Sequence, residues 1–85
     1  MTQSSRTSRE ALQFGATMRR VRLERGWTLV RLGRAIGMHP RYLGVVESGR
    51  NDASLTTIVA ICHALDADIG EVMREVAAVH VPHNR

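Results

Sequence analysis

Few residues in this chain have the type and spacing for covalent chemistry. No Ser/His/Asp constellation, phosphate-binding loop or suitably placed pair of carboxylates is present, which argues against an enzyme. His80 and His83 stand three apart, yet Pro82 between them breaks the helix that would align them as metal ligands, so no metal or other cofactor is expected. Cys62 is the sole cysteine; it reads as a small buried residue and excludes an intrachain disulfide. The chemistry on offer is that of guanidinium groups. All twelve basic residues are Arg, and the net charge of +4 favours polyanionic partners.

The residues from Thr28 to Gly49 organise that charge. Thr28 is a good N-cap for a short helix in which Leu32 and Ile36 face a core while Arg31 and Arg34 face solvent. Gly33 costs helix propensity by about 1 kcal/mol relative to Ala, which predicts close approach of another helix there. Gly37 supplies the positive φ of a sharp turn. A further helix opens at His39, with Pro40 in its first turn, where a missing N–H does no harm. Met38, Leu43 and Val46 point inward, whereas Arg41, Gly44 and Val45 lie outward. That outward face sits at the positive end of the helix dipole, which favours anions.

Other elements must hold this unit in place. An 85-residue chain supports one small domain, since a core of this size buries only about 60–65% of the unfolded surface. Residues 1–8 form a flexible basic arm with nothing apolar to bury. The folded domain spans residues 9–79, and 80–85 form a flexible tail. The first helix runs from about Arg9 to Arg25, capped by Ser8, with Phe14, Met18 and Val21 inward and Leu12 or Leu23 beside them. Arg19, Arg20 and Glu24 occupy its opposite face. Arg22 and Arg25 suit the dipole of its last turn, Gly26 a left-handed cap, and Trp27 a core plug over the joint with the second helix. Ser54 caps a fourth helix, Leu55 to Leu65, whose inward set draws on Leu55, Ile58, Ile61, Cys62 and Leu65. Asp68 caps a fifth, Ile69 to Val79. Its stripe of Ile69, Val72, Met73 and Val76 exceeds what its own core needs, and a homodimer contact would use the surplus. No signal peptide or membrane-spanning run is found, and a cytoplasmic location is expected.

Over about residues 12 to 73 the chain resembles the helix-turn-helix domains of the phage repressor and Cro type, the XRE family. The residues that carry the resemblance are Gly33, the turn Gly37, Leu43 and Val46, and the run Tyr42-Leu43 followed by Val46-Glu47-Ser48-Gly49-Arg50-Asn51. The resemblance implies an all-α, compact five-helix lambda-repressor-like fold with the helix-turn-helix at helices 2 and 3. It implies an ion pair between Arg22 and Glu47 that sets the angle of the recognition helix. Carried over position by position, the base-facing residues are Pro40, Arg41, Gly44 and Val45, with His39 beside them. Arg41 is the strongest for direct readout, because its fork matches the two acceptors of guanine, and Val45 suits a thymine methyl group. Thr28, Arg31, Tyr42, Ser48, Arg50 and Asn51 are the phosphate-side candidates.

Two departures from the family pattern matter. Members often carry Gln just after the helix 2 cap, where it bonds a phosphate and a recognition-helix residue; Leu29 can do neither. Pro40, Gly44 and Val45 also stand at positions frequently polar, which shifts readout toward Arg41, the arm and DNA shape. The small size is similar to stand-alone members, Cro-like repressors and the controller proteins of restriction-modification systems. The implied function is a sequence-specific transcriptional regulator that binds double-stranded palindromic DNA as a homodimer and acts as repressor or dual activator-repressor, with RNA polymerase a further candidate partner. The alternative is an antitoxin-like or anti-regulator module that binds a protein.

Overall fold

The computed structural model describes residues 7–82. It contains α1 (Arg9–Glu24), α2 (Leu29–Ile36), α3 (Pro40–Glu47), α4 (Leu55–Ala64) and α5 (Ile69–Ala78), with no strand among the described residues. The expected arm lies mostly outside the described residues, as do His83 and the end of the tail. None of the helices is long and apolar enough to cross a membrane.

Each helix starts where a side chain can satisfy an orphan backbone N–H. Ser8 Oγ accepts from Ala11 at 2.9 Å, Thr28 Oγ1 from Arg31 at 3.0 Å, Ser54 Oγ from Thr57 at 3.1 Å, and Asp68 Oδ1 from Gly70 at 2.8 Å. His39 caps α3 through Nδ1, which accepts from the Arg41 N–H at 3.0 Å. A cap of this kind contributes about 0.5–2 kcal/mol. All five starts fall where the side-chain chemistry of the sequence predicts them.

The turn between α2 and α3 is set by two glycines. Gly37 takes φ 72°, and the Met38 N–H reaches back to the Gly33 carbonyl at 3.0 Å. A Cβ on Gly33 would lie 2.4 Å from the Met38 carbonyl oxygen. The close approach at Gly33 therefore comes from the folded-back turn itself and not, as the helix-packing argument expects, from the axis of another helix.

The core gathers Phe14, Met18 and Val21 of α1, Leu32 of α2, Leu43 and Val46 of α3, Ile61 and Cys62 of α4 with Leu65 just beyond, and Val72 and Val76 of α5. α1 packs on both α3 and α5, and α2 on α3 and α4. Where α1 crosses the end of α3, a Cβ on Gly15 would sit 2.4 Å from the Glu47 carbonyl oxygen and 2.5 Å from that of Val46, so only glycine lets the backbones come this close.

Leu12 and Leu23 flank the α1 core face as expected, both about half exposed. Two expectations need correction. Leu55 is 74% exposed, because the buried stripe of α4 centres on Ile61 with Thr57 and Leu65; at 3.6 residues per turn Leu55 lies roughly 120° around the helix from Ile61. Within the α5 stripe, Val72 and Val76 are buried in the chain's own core, and the surplus apolar surface reduces to Ile69 and Met73.

Candidate nucleic-acid interface

The ion pair implied by the resemblance forms. Arg22 Nε donates to Glu47 Oε2 at 2.6 Å and Nη2 donates to Oε1 at 3.1 Å, a two-pronged grip with both side chains buried, 7% and 6% exposed. The third arm of the guanidinium, Nη1, donates to the Trp27 carbonyl at 2.7 Å. One buried cation thus ties the end of α1, the approach to α2 and the end of α3 together. A planar fork suits this task because its donors lie in fixed directions. No buried side-chain polar atom among the described residues lacks a partner, so the joint is fully satisfied.

The joint presents α3 with one face to solvent. Arg41 is exposed and its side chain makes no hydrogen bond or ion pair with other described residues, which leaves its donors free. His39, Arg41, Tyr42 and Val45 line a shallow, open hollow of about 350 Å³. Because His39 Nδ1 accepts from the Arg41 N–H, the ring proton belongs on Nε2, and His39 offers a donor outward. Gly44 and Val45 are half-buried, and the first of these is covered in part by Leu29, whose Cδ1 lies 3.6 Å from the position of a Gly44 Cβ. The residue that cannot make the amide contact instead seals the α2–α3 joint with apolar packing.

Phosphate-side candidates flank this face. Thr28 and Arg31 stand exposed at the start of α2, and the Arg31 guanidinium carbon lies 4.0 Å from the centre of the Trp27 ring. Beyond α3, Ser48 Oγ donates to the Val45 carbonyl at 2.6 Å and accepts from Arg50 Nε at 3.1 Å, which orients Arg50 at the helix end. Asn51 is exposed beside it. Tyr42 is half-buried and packs against the core, a supporting position as much as a contact position.

Several roles were not singled out by residue type alone. Arg25 donates to the carbonyls of Leu65 at 2.9 Å and Asp66 at 3.1 Å, closing the end of α4 in place of a dipole role on α1. Thr17 and Arg20 of α1 grip Glu75 of α5, with Thr17 Oγ1 to Oε1 at 2.7 Å and Arg20 Nη2 to Oε2 at 3.0 Å. The Arg20 guanidinium, helped by the Thr17 hydroxyl, holds the Glu75 carboxyl below its ordinary value. His80 pairs with Glu10 at the start of α1 and lowers that carboxyl likewise. Trp27, expected as a core plug, is half-buried and carries Arg31 on its face; the signal is an aromatic just before the Thr28 cap with an Arg in the first turn that follows.

Away from the reading face, Leu55 and Val59 stand exposed on α4, 74% and 49%, and line a hollow with Thr56, Ala60 and His63. Ile69 borders a second hollow with Val59, so the apolar surface runs from α4 onto the start of α5.

A family model described as a helix-turn-helix domain matches residues 13–76. Crystal structures of the clp gene regulator ClgR from Corynebacterium glutamicum are similar: one is 35% identical over 81% of this chain and 73% of that one, with a TM-score of 0.76. A second is 32% identical over 87% and 96%, also with a TM-score of 0.76. The restriction-modification controller protein C.AhdI from Aeromonas hydrophila is 31% identical over 73% of this chain and 94% of that one, with a TM-score of 0.69. A mutant of the controller protein C.Esp1396I superposes with a TM-score of 0.74 over 84% and 95% at 15% identity, a likeness of fold alone. Among curated protein sequences none matches the chain.

Proposed function

The chain belongs to the helix-turn-helix family of the phage repressor and Cro type, and on that premise we propose that it is a transcriptional regulator binding palindromic DNA as a homodimer. The observation that carries this function is the buried Arg22–Glu47–Trp27 joint, which ties α3 to α1 and the approach to α2 with Arg41, unpartnered among the described residues, on its outer face. In such a unit the helix lies in the major groove, Arg41 meets guanine N7 and O6, and Val45 meets a thymine methyl. Thr28, Arg31, Ser48, Arg50 and Asn51 contact phosphates on either side and set the register.

A second copy of the chain covers the apolar surface formed by Leu55, Val59 and Ile69, with Met73 one turn further along α5, and this surface replaces the α5 stripe alone as the dimer contact. To read two half-sites of a palindrome, such a dimer would hold its α3 helices about 34–36 Å apart, one turn of DNA. Occupying a promoter, the dimer represses, and contact with RNA polymerase would let it activate. The relatives named as a gene regulator and as controller proteins support regulation of transcription as the purpose.

Gel-shift titration across salt tests this function. The affinity should fall with a log–log slope of about −0.9 per phosphate contacted, and Leu55→Asp with Val59→Asp should convert dimer to monomer in sedimentation and weaken operator binding. The same apolar surface would also serve an antitoxin-like module; absence of salt-dependent DNA binding at low ionic strength would favour that alternative.

A further inference from the structure

We propose that Trp27 is a positioning residue for DNA binding: its ring holds the Arg31 guanidinium as a pre-set phosphate clamp at the start of α2, in place of the amide contact that Leu29 cannot make. This rests on the DNA-binding function above. Arg31 lies with its guanidinium carbon 4.0 Å from the ring centre, inside the range of about 6 Å for a cation–π contact.

Stacking orders the group without consuming it. An aromatic ring engages the flat face of a guanidinium, while the N–H donors point outward in its plane. Other arginines in the fold are spent differently: Arg22 and Arg20 are gripped by carboxylates and Arg25 by two carbonyls. Arg31 has no carboxylate partner among the described residues, so its charge stays uncompensated and its donor edge open. The residue is held at both ends. Its side chain packs against the core, its carbonyl takes the Arg22 Nη1 bond at 2.7 Å, and the same guanidinium holds Glu47 at the end of α3. The clamp and the reading helix are thus fixed to one cation, and a phosphate seated on Arg31 sets the position of Arg41 in the groove. Thr28 completes the site by capping at the Arg31 N–H, which brings the positive end of the α2 dipole to the same place.

A double-mutant cycle on the full chain tests the proposal, with binding to a random-sequence duplex measured across salt and thermal melts run alongside. Arg31→Ala should weaken binding and reduce the log–log salt slope by about 0.9, one phosphate contact. Trp27→Leu should weaken binding about 2- to 5-fold, Trp27→Phe less, and neither should weaken it further in the Arg31→Ala background. Equal losses from Trp27→Leu in both backgrounds, or an unchanged slope for Arg31→Ala, would overturn the clamp. If Trp27→Leu does not fold, Trp27→Phe on both backgrounds decides by the same comparison. Wild-type chain that shows no salt-dependent binding would instead overturn the DNA-binding function itself, before any variant is compared.

Discussion

Two Arg–Glu bridges grip a carboxylate at both oxygens, and they differ in burial more than in geometry. Arg22 and Glu47 are 7% and 6% exposed, whereas Arg20 and Glu75 are 51% and 38% exposed, although both carboxylates are gripped at two oxygens. Water screens the outer bridge and can solvate either partner if the other leaves. The inner bridge is shielded from water: Arg22 has Glu47 as its carboxylate, and Glu47 has besides it only the exposed Arg19, 3.9 Å away. The inner bridge ties the end of α1 to the end of α3; the outer one fastens α5 to α1.

The largest effect should follow from breaking the inner bridge on one side. Glu47→Ala is expected to destabilise the domain by about 3–5 kcal/mol in urea unfolding, because it strands a buried guanidinium. Replacing both partners, Arg22→Met with Glu47→Leu, should cost much less, and equal costs for the single and double changes would refute the stranded-charge explanation. Next comes Gly15→Ala, which drives a Cβ into the Glu47 and Val46 carbonyls and should cost about 1–3 kcal/mol in the same assay. It should also shift α3 and blunt base discrimination more than Arg20→Ala does.

Smaller effects belong to the outer bridge. A double-mutant cycle on Arg20 and Glu75 should give a coupling well below that of the inner pair and one that shrinks as salt rises. Its pH dependence has a defined sign. The Glu75 carboxyl is lowered from its ordinary 4.5, first by Arg20 and then by Thr17, so its stabilisation is complete above that value and is lost as pH falls through the lower folded value. Glu75→Gln should therefore flatten the acid limb of the stability curve below pH 4.5 and leave neutral binding to DNA unchanged.

Much of this contrast was legible in the sequence where the cause is local. Ser8, Thr28, Pro40, Ser54 and Asp68 announce helix starts because capping depends on a few neighbouring atoms, and Gly37 announces the turn because its φ is positive. The Arg22–Glu47 pair, 25 residues apart in sequence, came from family resemblance and not from spacing. What stayed hidden depends on how helices meet. Periodicity cannot tell that the inward arc of α4 turns Leu55 out, that α5 buries Val72 and Val76 and leaves Ile69 and Met73 outside, or that Gly15 marks a backbone crossing. Nor does it show that Trp27 carries Arg31, since one half-buried ring serves both the core and the surface.

In the proposed function, a rigidly held α3 reads DNA through Arg41. Selection of bound duplexes from random DNA, run in parallel for the wild-type chain and Arg41→Ala, tests it most directly. The wild type should enrich a palindrome with a fixed guanine in each half-site, and the variant should lose that guanine while keeping the half-site spacing, a discrimination of about 1–3 kcal/mol. Recovery of the same guanine by Arg41→Ala, or no enrichment by the wild type, would contradict it.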